Sequence, residues 1–153
     1  MYDAKETSAG LQCLVKRSSL IMSRPSFSSL RNNYQTAIVS DYDNTCAIRM
    51  SMALITTDPT YKTNFRTSST AKLTSGGYVR GAQDLAAILN RLWGTPDQSW
   101  AGKVGTPVRN GVICYMNIPS FSGQGHIGLW ENGAPYDNDA YWNANPVWFW
   151  KLL

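Results

Sequence analysis

The chain has 153 residues, enough for one domain with one core and too few for two comfortable ones. At 43% hydrophobic and 16% charged it is neither a disordered charged tail nor a coiled coil. The net charge of +4 is spread over scattered basic residues, with Lys16-Arg17 the one adjacent pair, so no dedicated nucleic-acid binding is expected.

Residues 1–21 are polar and without periodicity, and read as a mobile leader or extension ahead of a single folded domain at 22–153. The apolar islands Leu11 to Val15 and Leu20 to Met22 are split by Lys16, Arg17, Ser18 and Ser19. That pattern lacks the unbroken hydrophobic region of a secretory signal peptide, and no run approaches the ~18–20 apolar residues of a membrane span.

Within the domain, Phe27, Leu30 and Tyr34 at helical spacing predict a short helix over Ser26 to Thr36. The turn-rich run Asp41 to Thr45 precedes a second helix that opens at Cys46 and is apolar nearly all round, hence buried. Residues 55–80, rich in Thr, Ser and Lys, read as structureless or as hiding short strands. Gln83 to Trp93 carries Leu85, Ile88, Leu89 and Leu92 on one helical face and is stopped by Gly94 and Pro96. The period then changes: Gly111 to Ile118 and His126 to Trp130 read as strands around a turn, with Pro146 to Leu153 as a last strand. Helices first and an antiparallel sheet afterwards give an α+β domain.

Chemistry near neutral pH most often needs an imidazole, and His126 is the one histidine in the chain. It starts a strand after the flexible Gly123-Gln124-Gly125, and a merely packed or surface histidine is as frequent an explanation. Of the three thiols, Cys114 lies in a buried-strand pattern and Cys13 in the leader. Cys46 opens a helix after capping residues, where the positive end of the helix dipole and a neighbouring imidazolium favour a thiolate; it is the candidate nucleophile, the alternative being a packing role. A tight turn at Asn132-Gly133 would return Asp137 or Asp139 beside His126 to orient the ring. Oxyanion donors would be the Cys46 N–H and a group near Asn44, which also suits a helix cap. Three cysteines and one histidine match no zinc spacing, so no metal and no cofactor is expected. Of the six tryptophans, Trp93 lies on a helical core face; the others suit either core packing or a recognition groove.

The segment Asn44-Thr45-Cys46-Ala47-Ile48-Arg49-Met50-Ser51 resembles the nucleophile motif of the type VI secretion amidase effectors, family four. Gly125-His126-Ile127-Gly128-Leu129-Trp130 followed by Asn132-Gly133 resembles the same family's histidine motif, and the likeness covers nearly everything after residue 22. The resemblance implies a papain-like cysteine peptidase core acting on peptidoglycan stem peptides, at the amide between D-glutamate and meso-diaminopimelate. It implies injection into the periplasm of a rival cell and a cognate immunity protein, usually dimeric; the scattered basic residues and short apolar runs above lead to no expected nucleic-acid or membrane partner. It makes Cys46 the nucleophile, His126 the base and then acid, and Asp137 the orienting carboxylate, with Asp139 as the alternative because Glu131 shifts the register after Trp130. Departures from the family are Gly128, where Thr or Asp is frequent, and the absence of a cysteine pair around the orienting acid. Two other readings are a catalytically idle wall-binding or inhibitor-binding module, and a cysteine peptidase acting on a different amide.

Overall fold

The computed structural model describes residues 21–38 and 40–153; the expected leader, apart from Ile21, and Cys13 with it lie outside the described residues. Four helices come first: α1 (Phe27–Asn33), α2 (Cys46–Thr57), α3 (Thr60–Arg66) and α4 (Ala82–Trp93). Five strands follow: β1 (Gln98–Trp100), β2 (Gly111–Met116), β3 (Gly125–Glu131), β4 (Ala134–Pro135) and β5 (Val147–Lys151). The strands form one antiparallel sheet in the order β1-β5-β2-β3-β4, so the class is α+β as the element order implied.

Helix α1 begins where Ser26 Oγ accepts the Ser29 N–H at 3.2 Å, and it ends three residues short of the expected Thr36. Its Phe27 and Leu30 are buried, and Tyr34 follows at the C-terminal cap. Helix α2 starts at Cys46 and buries Ala47, Ile48, Met50, Ser51, Ala53 and Leu54. Burying a side chain the size of Ile48, Met50 or Leu54 contributes ~1.5–3 kcal/mol by leaving water.

The stretch expected to lack structure contains α3. Asp58 Oδ1 accepts the Thr60 N–H at 2.9 Å, Pro59 precedes the first turn, and Tyr61 and Phe65 are buried one helical turn apart. The Thr-rich composition concealed that pair. Trp93 Nε1 donates to Tyr61 Oη at 2.8 Å, which joins α3 to the end of α4. β1 and β4, too short to carry a periodic signal, were also not expected; they pair along β5 and β3.

Alternation along β2 and β3 sorts side chains between two cores. Val112, Cys114, Met116, Ile127 and Leu129 pack under the helices, whereas Ile113, Tyr115 and Trp130 face the other side with Val147 and Phe149. Trp93 and Trp150 belong to the helix-side core, and Trp100 and Trp142 pack against the far one. Cys114 is wholly buried, its thiol donating to the Ala82 carbonyl at 3.7 Å, and burial pushes its pKa well up. This matches a structural thiol.

Candidate active site

Two local rules of the chain bring the candidate groups together. The first is the start of α2. Asn44 Oδ1 accepts the Cys46 N–H at 3.4 Å, while its Nδ2 donates to the Gly125 carbonyl at 3.2 Å. The Cys46 thiol donates to that same carbonyl at 3.8 Å. Gly125 thus accepts from both sides immediately before His126. Its φ of +128°, and the 2.1 Å that a Cβ there would leave to the Tyr115 carbonyl, restrict the position to glycine.

The second is the β3–β4 hairpin. Asn132 and Gly133 both take positive φ, 54° and 79°, the tight-turn backbone that an Asn-Gly pair favours. The returning chain passes β4 and puts Asp137 Oδ2 at 3.4 Å from His126 Nε2, with both side chains 6% exposed. Arg31 Nε to Glu131 Oε2, at 2.6 Å, ties this hairpin to α1, and the Arg31 guanidinium lies 5.2 Å from the Tyr136 ring centre. The residue that shifts the register after Trp130 therefore anchors the loop that carries Asp137. A Cβ at Gly128 would lie 3.0 Å from Asp137 Oδ2 and 3.3 Å from His126 Nε2, so glycine leaves the room in which that pair meets.

Around the imidazole, Tyr115 stacks at 6.1 Å between ring centres and Tyr141 tilts over it at 5.5 Å. Tyr34 Oη donates to Asp137 Oδ2 at 3.4 Å. Neither Tyr34, which the helical spacing marked as core, nor the two flanking tyrosines stood out in the sequence as part of a site. Asp139 is exposed, yet its carboxylate and the ligand atoms of His126 and Asp137 all lie within 4.8 Å of one another. Among the described residues these three are the group whose spacing would admit a cation.

Burial alone would lower the pKa of His126, but the Asp137 carboxylate and the Cys46 sulfur outweigh it and lift the imidazole to about 9. For Asp137 burial acts upward, and the facing imidazole overcomes it to hold the carboxyl below its usual range. The signs follow by linkage. A histidine raised from 6.5 adds stability that is complete below about 6.5 and lost as pH climbs through about 9. A depressed Asp137 adds stability present above its ordinary 3.8 and lost as pH falls through its lower folded value. Denaturant melts should therefore show stability falling between pH 6.5 and 9, by up to ~3 kcal/mol, and Asp137→Asn should flatten that limb. An equal slope in the variant would mean that the carboxylate does not hold the imidazole charged.

A thiol at the first turn of a buried helix, beside an imidazole that faces a carboxylate on an antiparallel sheet, is the arrangement used by thiol hydrolases. Residues 42–150 match the family model of Tae4, the type VI secretion system amidase effector protein 4, and the chain belongs to that family of amidases. Similar solved structures include the effector Tae4 from Enterobacter cloacae, 20% identical, covering 87% of this chain and 99% of that one with a TM-score of 0.71. The Tae4–Tai4 effector–immunity complex from the same organism is 19% identical over 86% of this chain and 100% of that one, TM-score 0.66. Tae4 from Salmonella typhimurium, solved with the Enterobacter cloacae immunity protein Tai4, is 22% identical over 85% and 100%, TM-score 0.63. At such identities the likeness is one of fold. No curated protein matches the sequence.

Proposed function

We propose that residues 22–153 act as one amidase domain that hydrolyses the D-glutamate–meso-diaminopimelate amide of peptidoglycan stem peptides. It would do so in the periplasm of a target cell after type VI injection. The observation that carries this reading is the meeting of Cys46, His126 and Asp137 at the start of α2 and β3. Membership in an amidase effector family supports it, and no described helix is long and apolar enough to cross a membrane.

In this mechanism His126, lifted to about 9, holds the proton it shares with Cys46, and the sulfur attacks the amide carbonyl. Nε2 is the nitrogen facing Asp137, which leaves Nδ1 to serve the sulfur. Asp137 keeps the ring oriented and balances the imidazolium. His126 then protonates the leaving amine, an acyl-enzyme remains, and His126 activates the water that hydrolyses it. Tyr34 and the Arg31–Glu131 pair hold Asp137 in place. The Tae4–Tai4 complexes support a partner of the same kind for this chain, an immunity protein closing the cleft, as a dimer in our reading.

Asn44 acts as a clip. One N–H of its amide donates to Gly125 and its oxygen caps the Cys46 N–H, so both ends of the group tie the start of α2 to β3. The Cys46 N–H, held by a long 3.4 Å bond, is the donor that can turn to the substrate. Asn44→Ala should therefore cost about 1 kcal/mol of stability and at most ~10-fold in kcat. Loss of ~10²–10³ in kcat at unchanged Tm would return Asn44 to the oxyanion role.

Digestion of purified sacculi followed by mass spectrometry tests the bond. The expected products are fragments ending in D-glutamate together with fragments that carry a new free amine on diaminopimelate. Products cut at another amide would replace this substrate assignment with the second reading of the same thiol chemistry.

A further inference from the structure

His126 Nε2 stands 3.4 Å from Asp137 Oδ2, and both side chains are 6% exposed. Among the described residues neither Nε2 nor the second carboxylate oxygen, Oδ1, has a hydrogen-bond partner. Buried polar atoms seldom stay unpartnered, because each has given up its water. The separation is also long for an N–H···O bond, whose usual length is about 2.9–3.0 Å. It equals the distance between two ligands of one tetrahedral zinc ion, about 3.3–3.4 Å for bonds of about 2.0–2.1 Å to nitrogen and oxygen.

Asp139 brings a third ligand. One of its oxygens, an oxygen of Asp137 and a ring nitrogen of His126 all lie within 4.8 Å of one another. The three grade from buried His126 to exposed Asp139, so Asp139 marks the way in from solvent and its side chain can close the remaining distance by rotating. Two carboxylates and a neutral imidazole carry −2, which balances a divalent ion. The nitrogen ligand favours a zinc-class ion over Mg²⁺ or Ca²⁺, which take oxygen, and three protein ligands leave the fourth position to water. Cys46 stands outside the group, its thiol donating to the Gly125 carbonyl.

We propose that His126, Asp137 and Asp139 form an inhibitory site for a zinc-class divalent cation. On binding, the Nε2–H bond breaks, a metal–Nε2 bond forms and the proton goes to solvent. The ring keeps one proton, on Nδ1. Giving that proton up would leave an imidazolate, so the ring no longer serves as acid to the leaving amine, and Asp137 is engaged on the ion. Inhibition rests on the triad reading above; binding of the ion does not.

Calorimetric titration with zinc chloride at neutral pH tests the site. Cys46→Ala should bind zinc as tightly as wild type, and Asp139→Asn added to it should weaken binding about 10-fold or more. Loss of binding in Cys46→Ala would place the ion on the sulfur, and unchanged affinity in the double variant would remove Asp139; either overturns the site. In stem-peptide cleavage, zinc should inhibit the wild type and chelation should restore it. Asp139→Asn should need about 10-fold more zinc for half-inhibition of its own metal-free rate. Equal inhibition by Mg²⁺ would contradict a nitrogen ligand and overturn the assignment. Cleavage that continues with zinc bound rejects the inhibitory role. Zinc binding as expected in a protein that cleaves no stem peptide supports the metal site and tells against the amide reading alone.

Discussion

Cys46→Ala should abolish release of peptide fragments from sacculi, by at least ~10⁴-fold, in a protein that still folds. In the proposed mechanism the sulfur attacks, and the buried hydroxyl and second thiol nearby are engaged elsewhere: Ser51 accepts the Val79 N–H at 3.0 Å, and Cys114 lies buried against α4. The fold should survive because the change removes one small atom from the first turn of α2, while the helix keeps Met50 and Leu54 fully buried. Circular dichroism and Tm should stay close to wild type. Cys46→Ser should be nearly as inactive, since a hydroxyl is a far poorer nucleophile beside the same imidazole. Wild-type hydrolysis by Cys46→Ala would end the proposed mechanism. A second check is thiol labelling: Cys46 should react with iodoacetamide faster than Cys114, whose thiol is wholly buried and pushed up by burial.

The second large effect separates two acids that counting along the chain left open. Asp137→Asn should lower kcat by ~10²–10⁴, because the amide neither balances the imidazolium nor enforces the ring orientation. Asp139→Asn should cost less than ~5-fold. The geometry behind the difference is that Asp137 faces His126 Nε2 at 3.4 Å and is held by Tyr34, whereas Asp139 is exposed. Steady-state kinetics on one stem peptide decide it. Equal losses for both variants would mean that the two carboxylates share the role, and a larger loss for Asp139→Asn would reverse the assignment. The alkaline stability limb gives an independent reading, since only the acid that holds His126 charged should flatten it.

Much of the helical half was legible because its signals are local. Ser26, the run before Cys46, and Gly94 after Trp93 are punctuation that acts within one turn, and the face carried by Leu85, Ile88, Leu89 and Leu92 needs no distant partner to be read. Where the signal was short or hidden, the reading failed. Helix α3 rests on Tyr61 and Phe65 amid threonines, and β1 and β4 have three and two residues, fewer than any periodicity test needs. These elements exist because partners distant in the chain complete them: Trp93 for α3, β5 for β1, β3 for β4.

The sequence by itself determined which groups were available: one imidazole, a thiol at a helix start, an Asn-Gly turn and two acids beyond it. Only the tertiary structure placed them relative to one another. Packing α2 against β3 lets the Gly125 carbonyl meet both Asn44 and Cys46, 81 and 79 positions apart in the chain. The hairpin twist and the Arg31–Glu131 tie then bring Asp137, not Asp139, into the buried space above Gly128. The physical reason is range. Propensities and caps act over one turn, whereas the proton path of a thiol hydrolase needs side chains from separate elements held within a few ångströms. That spacing is set by how a sheet and a helix bury their apolar faces together.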